Sequence, residues 1–230
     1  MRVLALALLL VGSGAVASDA IVDARYESPT TRYAHGVLGD AVEWGTLVLV
    51  AESGAEAMVV LPEERVFEDL TPRLADLDGD GAPEVIAVES HQSFGARLSI
   101  YGMDGLIAAT DYIGTRNRWL APIGAADLDG DGVVEVAFVD RPHLAKTIRI
   151  FGFEGGALEE EAAFRGFSNH RIGEDFISGG IRICDSQPQM VVAEGDWSGI
   201  AVISWDGSGY VKIPSDLAPT PKGFDAALSC

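Results

Sequence analysis

Cysteine, basic side chains and long apolar runs are all scarce in this chain. Its two cysteines are Cys184 and Cys230, and its four histidines are His35, His91, His143 and His170. None of these has the His-x-x-x-His or Cys-His spacing of a zinc site. A Gly-x-Ser-x-Gly elbow, a phosphate-binding loop and a Gly-x-Gly-x-x-Gly turn are all missing, so hydrolase and nucleotide-binding motifs are excluded. Lys and Arg number 16 against 35 Asp and Glu, for a formal charge of −19. Such a surface repels nucleic acid and anionic membranes. The apolar run Val3–Val11 falls short of the roughly 20 residues that span a bilayer, and no other run is longer. No segment holds a 3.6-residue period with caps, so little helix is expected.

What the chain has in excess is a repeated acidic loop. Asp76-Leu77-Asp78-Gly79-Asp80-Gly81-Ala82-Pro83-Glu84 runs into Val85-Ile86-Ala87-Val88. Asp127-Leu128-Asp129-Gly130-Asp131-Gly132-Val133-Val134-Glu135 runs into Val136-Ala137-Phe138-Val139. Four carboxylates within nine residues repel one another unless a cation sits among them. Acids at positions 1, 3 and 5 turn toward one centre when the backbone curls, and Gly at position 6 permits the curl. The carbonyl at position 7 (Ala82, Val133) and the acid at position 9 (Glu84, Glu135) would complete an all-oxygen shell, which suits Ca²⁺ over Mg²⁺. An EF-hand is rejected. It needs Glu at position 12 and flanking helices, whereas position 12 is Ala87 or Phe138 and a strand follows.

The repeat extends beyond the acids. Leu98-Ser99-Ile100-Tyr101-Gly102-Met103-Asp104-Gly105 matches Ile148-Arg149-Ile150-Phe151-Gly152-Phe153-Glu154-Gly155. A unit of about 50 residues indicates a repeat architecture. In the clearer copy the strands fall near Leu120–Ala126, Glu135–Arg141, Thr147–Phe153 and Ala157–Phe164, punctuated by Asp, Gly and Pro. Weaker copies flank the two clear ones. Upstream, strands are expected at Gly36–Ala41, Thr46–Val50 and Ala57–Leu61, and downstream at Pro188–Glu194 and Ala201–Trp205. The expected fold is all-β, a small β-propeller of about four four-stranded blades. Its units run 34–70, 71–118, 119–170 and 171–214 within a single domain, 18–230. The segments Ala20–Tyr33 and 215–230 are candidates for a closing strand.

Met1-Arg2, the apolar run and Ala15-Val16-Ala17 form a secretory leader over residues 1–17. The protein is expected to be exported, to the periplasm or beyond. In an oxidising compartment Cys184 and Cys230 are expected to pair.

The acidic loop running into a strand resembles the FG-GAP/VCBS repeat, the unit of integrin α-subunit propellers and of many exported bacterial proteins. The likeness is strong over Leu70–Phe164. It implies Ca²⁺ bound between the first two strands of a blade. The implied ligands are the side chains of Asp76, Asp78, Asp80 and Glu84 with the Ala82 carbonyl, and those of Asp127, Asp129, Asp131 and Glu135 with the Val133 carbonyl. Position 9 is Glu here where integrins have Asp.

Glu174-Asp175 reads as a solvated pair, and His91 and His143 as turn residues. Trp44, Trp119, Trp197 and Trp205 read as packing between units, with Trp197 best placed for exposure. The favoured function is a non-catalytic module that binds an extracytoplasmic protein or glycan, with two structural Ca²⁺ ions. It is not expected to bind nucleic acid or insert in a membrane. The alternative is a hydrolase or lyase acting on polysaccharide from a propeller scaffold.

Overall fold

The computed structural model describes residues 19–230; the expected leader, residues 1–17, lies outside them. Strands form where β-branched and apolar residues cluster between Gly, Asp and Pro turns. The first unit holds β1 (Ile21–Thr30), β2 (Glu43–Ala51) and β3 (Glu56–Val60), with β2 in the middle. The strand expected at Gly36–Ala41 is not one. Gly36 and Gly39 sit at φ +69° and +94°, values that belong to turns. β1 supplies the missing strand by pairing along the whole of β2.

The second unit holds β4 (Arg65–Phe67), β5 (Arg73–Ala75), β6 (Glu84–His91), β7 (Gly95–Gly102) and β8 (Gly105–Ala109). β4 and β5 pair with opposite ends of β6, so they are one first strand interrupted by residues 68–72. Phe67 also pairs with Trp44, which joins the first two units in one eight-stranded sheet. The third unit is an unbroken four-stranded sheet of β9 (Leu120–Ala126), β10 (Val134–Asp140), β11 (Thr147–Glu154) and β12 (Ala157–Arg165). The fourth holds β13 (Phe167–Ser168), β14 (Gly180–Cys184), β15 (Gln187–Glu194), β16 (Ile200–Trp205) and β17 (Tyr210–Ser215). Its first strand is again split, here by residues 169–179, into β13 and β14 on β15.

The fold is therefore all-β, with curled antiparallel sheets in a propeller-like series. The regular four-by-four plan needs correction, since the described residues form sheets of eight, four and five strands. Apolar layers fill the space between successive units. Leu47, Leu49, Val85 and Ala87 pack between the first and second, and Ile86, Val88, Leu98, Val136 and Phe138 between the second and third. Ala137, Val139, Ile148, Met190 and Val192 pack between the third and fourth.

The outer face of the fourth unit meets a helix, α1 (Pro221–Leu228). The sequence reading allows a closing strand at 215–230, and the structure overturns it. Thr220 caps the helix by accepting the Gly223 N–H at 3.1 Å, and Pro221 opens the first turn. Phe224 and Ala227 then bury against Val191, Ala193 and Val202. Covering a Phe side chain contributes about 1.5–3 kcal/mol. Cys184, at the end of β14, is disulfide-bonded to Cys230 with a Cα–Cα distance of 6.0 Å. This bond, with Arg182 donating to the Ala227 carbonyl at 2.6 Å, fastens α1 to the sheet. Among the described residues no helix is long and apolar enough to cross a membrane.

Candidate metal centre

Each acidic loop joins the first strand of its unit to the second. Loop 76–84 links β5 to β6, and loop 127–135 links β9 to β10. In both, the glycines at positions 4 and 6 have positive φ: Gly79 +74°, Gly81 +90°, Gly130 +83° and Gly132 +95°. That backbone suits Gly far better than other residues, and it wraps the chain around its own carboxylates. The wrapping follows one pattern twice. Asp76 accepts the Gly79 N–H at 2.8 Å, Asp78 accepts Asp80 N–H at 3.1 Å, and Asp80 accepts Ala82 N–H at 2.7 Å. Asp127 accepts Gly130 N–H at 2.8 Å, Asp129 accepts Asp131 N–H at 3.0 Å, and Asp131 accepts Val133 N–H at 2.8 Å. Glu84 and Glu135 reach back to the Leu77 and Leu128 N–H at 2.9 and 2.5 Å.

The two loops gather different sets of acids. Carboxylate oxygens of Asp127, Asp129, Asp131 and Glu135 all lie within 4.8 Å of one another, whereas the first loop brings together Asp76, Asp78 and Glu84. Asp80 is outside its loop's set. The backbone carbonyls of Ala82 and Val133 follow directly in each loop.

The residues present fit a hard cation. Glu135 is fully buried; one of its oxygens accepts the Leu128 N–H and the other is buried with no partner. A buried carboxylate oxygen without a donor is costly, and a cation held by Asp127, Asp129 and Asp131 would be its missing partner. Burial, with Asp129, Glu161 and Asp127 nearby, pushes Glu135 up to about 7 against the pull of the Leu128 N–H. Burial raises Glu84 in the same sense, and Asp78 and Asp80 add to it. The donor set is all oxygen and largely anionic, the chemistry of Ca²⁺ or a similar ion.

Beside the second loop a cleft of about 550 Å³ opens between β12 and β17. Asp129, Glu161, Phe164, Trp205 and Tyr210 line it. Glu161 lies in an acidic run, Glu159-Glu160-Glu161, to which the sequence reading assigns no role, and Tyr210 carries no motif at all.

A second polar cluster also escapes the sequence reading. Glu68, fully buried, meets His35 Nδ1 at 2.5 Å and the Ser90 hydroxyl, while the Trp119 indole donates to its carbonyl at 2.8 Å. Glu68 and Ser90 are both fully buried, while His35 stays partly exposed in a small cleft shared with Trp119 and His143. His170 Nε2 faces the Glu174 carbonyl at 2.9 Å and so carries the proton there, leaving Nδ1 to accept from His143 Nε2 at 3.0 Å. Burial, then His170, pushes His143 down to about 4. His143 lies in the turn after β10, as the sequence reads it, and is half-buried where it meets the buried His170. Trp119 is buried. Trp197 is half-covered, with its ring edge-on to Phe224 and the Arg171 guanidinium 3.9 Å from its centroid.

These features define a propeller-like repeat protein with two acidic loops. Residues 76–138 match the FG-GAP-like repeat, and the chain carries that repeat. No curated protein matches the chain. Among solved structures it is similar to a chain in the complex structure of the fission yeast SREBP-SCAP binding domains. The identity is 12%, over 94% of this chain and 56% of that one, with a TM-score of 0.40. A likeness of that extent carries no argument about function.

Proposed function

We propose that the protein is a non-catalytic interaction module of an exported, FG-GAP-like kind, stabilised by Ca²⁺ in loops 76–84 and 127–135. The carrying observation is the fully buried Glu135, which has one unpartnered oxygen and whose carboxylate converges with Asp127, Asp129 and Asp131. An ion there relieves the repulsion of the acids and pins the turn between the first two strands of its unit. Its role is structural, and recognition of a protein or glycan falls to the surface that the units hold in place. The disulfide and the leader expected at residues 1–17 support an extracytoplasmic setting. The test is thermal unfolding in chelator and in Ca²⁺ or Mg²⁺. The reading expects Ca²⁺ to restore melting better than Mg²⁺, and fails if neither changes it.

One observation favours the second reading, a hydrolase or lyase acting on polysaccharide. The cleft beside β12 and β17 combines two carboxylates, Asp129 and Glu161, with Phe164, Trp205 and Tyr210. Against it, Asp129 already belongs to the loop. A screen of polysaccharides decides between them: turnover abolished in Glu161→Gln would establish the enzyme.

A further inference from the structure

The second and third units share one strand order after the loop, with β6, β7 and β8 paired as β10, β11 and β12 are, and that permits a comparison at each loop. Glu135 pairs across the ladder with Gly152, and Glu159 pairs with Gly152 on the far side. In the second unit Val85 pairs with Tyr101, which places Glu84 opposite Gly102. Both glycines are covered by the extra residue of a β-bulge in the outer strand. In the second unit the bulge lies between Ile100 and Tyr101, whose partners are Ala108 and Leu106, so the extra residue is Ile107. In the third it lies between Ile150 and Phe151, whose partners are Ala162 and Glu160, so the extra residue is Glu161. A Cβ placed on Gly102 would meet the tip of Ile107 at 3.0 Å, and one placed on Gly152 would collide with the Glu161 carboxylate. The same place thus holds a methyl group beside one loop and a carboxylate beside the other.

A second substitution of the same kind comes from the next unit along. Tyr210 pairs with Trp205 at the outer hairpin of the fourth unit, as Leu158 pairs with Phe153 in the third. Leu158 packs into the apolar layer between the second and third units. Tyr210 packs into the layer between the third and fourth, and its hydroxyl is buried without a partner. It shares the cleft with Asp129 and Glu161.

We propose that Glu161 and Tyr210 belong to the cation site of loop 127–135, making it a site for a hydrated hard divalent ion that bridges the third and fourth units. This rests on the reading of both loops as cation sites. Glu161 is outside the set of four acids that converge within 4.8 Å, so it serves the ion's water shell rather than the ion itself. The unpartnered Tyr210 hydroxyl meets the same shell from the neighbouring unit. Three features point to a ligand at this loop: the unpartnered, fully buried Glu135 oxygen, the unpartnered Tyr210 hydroxyl and the fifth carboxylate. The surrounding charge agrees. Asp129 and Glu161 share one cleft with Tyr210, and a cation relieves the repulsion between such like charges. Outer partners of this kind commonly change metal affinity by about 10- to 100-fold.

The experiment is calorimetric titration of the full, metal-free protein with CaCl₂, one loop at a time. Asp78→Ala silences the first loop, and Glu161→Gln and Tyr210→Phe are then added singly. Each is expected to weaken the remaining site by about 10-fold. In an Asp129→Ala background, where only the first loop remains, the same changes should leave affinity unaltered. Far-UV circular dichroism confirms that each variant is folded. Calcium binding to Asp78→Ala that is unchanged by both added substitutions overturns the inference. No binding to Asp78→Ala or to the unaltered protein overturns the underlying reading of the loops instead.

Discussion

Loops 76–84 and 127–135 share four acids, two glycines of positive φ and the same backbone wrapping, yet their surroundings differ. Beside the first are Ile107 and a cleft lined by Asp19, Ile21 and Asp104, and beside the second are Glu161 and Tyr210. The first gathers three carboxylates, and the second gathers four, one of them fully buried with a free oxygen. A nine-residue motif sets what a loop offers to a cation. The strands packed around it, including one from the next unit, set how well the offer is completed. Spacing within a motif is therefore an incomplete guide to affinity.

The comparison can be broken from outside. Reducing Cys184–Cys230 touches neither loop, yet it frees a 46-residue closure and on the chain-entropy account costs about 4 kcal/mol. Melting with and without reductant should show that loss while the difference between the loops persists. If reduction abolishes calcium binding at loop 127–135, the fourth unit controls that site more broadly than through Tyr210.

A smaller effect distinguishes the loops directly. At a free Ca²⁺ concentration a hundredfold above the dissociation constant of the second loop, an ion stabilises by about 2.7 kcal/mol. A first loop tenfold weaker then gives about 1.4 kcal/mol. Asp129→Ala should remove the larger amount and Asp78→Ala the smaller, with the double variant near their sum because the sites lie in different units. Thermal melts at fixed Ca²⁺ read all three, and equal losses would erase the distinction.

The glycines sharpen it. Gly102→Ala presses on Ile107 and Gly152→Ala on Glu161, and each should cost about 1–2 kcal/mol as overpacking. Only Gly152→Ala should also weaken Ca²⁺ binding, because it displaces a carboxylate beside Glu135. Melts in chelator measure the first effect, and titration the second.

A control on pH lies away from both loops. Burial pushes Glu43 up to about 9, and Glu68, Asp40 and Asp69 add to the shift. The folded protein holds this proton more tightly than the unfolded chain, so its contribution is full below about pH 4.5 and is lost as pH rises through about 9. Metal-free Glu43→Gln should therefore lose less stability than the parent between pH 5 and pH 9 (roughly the span of that shift). Parallel curves for the two would refute the assignment.

Much of this was legible in the sequence. The offset of the acidic loops, the matching third strands and the two cysteines led to the repeat, the all-β fold and the disulfide partners. What stayed hidden was set by irregularities that strict alternation cannot express. A bulge turns Glu161 toward the loop, although Glu160, its neighbour, faces Arg149 in an ordinary ion pair at 2.5 Å. Residues 68–72 and 169–179 split the first strands of two units; Pro72, Gly173 and Gly179 mark turns there, but turn residues do not tell a break within a strand from a boundary between units. The eight residues of α1 are too few to establish a helical period. The strand expected at Gly36–Ala41 came from extending the repeat into a stretch whose glycines require turns.

The most direct test of the central account is differential scanning calorimetry of the metal-free protein, with chelator in one sample and about 5 mM Ca²⁺, above the usual range of weak extracellular sites, in the other. The account predicts a higher melting temperature with Ca²⁺, a smaller gain in Asp78→Ala, a still smaller one in Asp129→Ala, and none when both are changed. Identical melting of the unaltered protein in both samples, together with a titration that shows no binding, would reduce the two loops to polar turns and contradict the account.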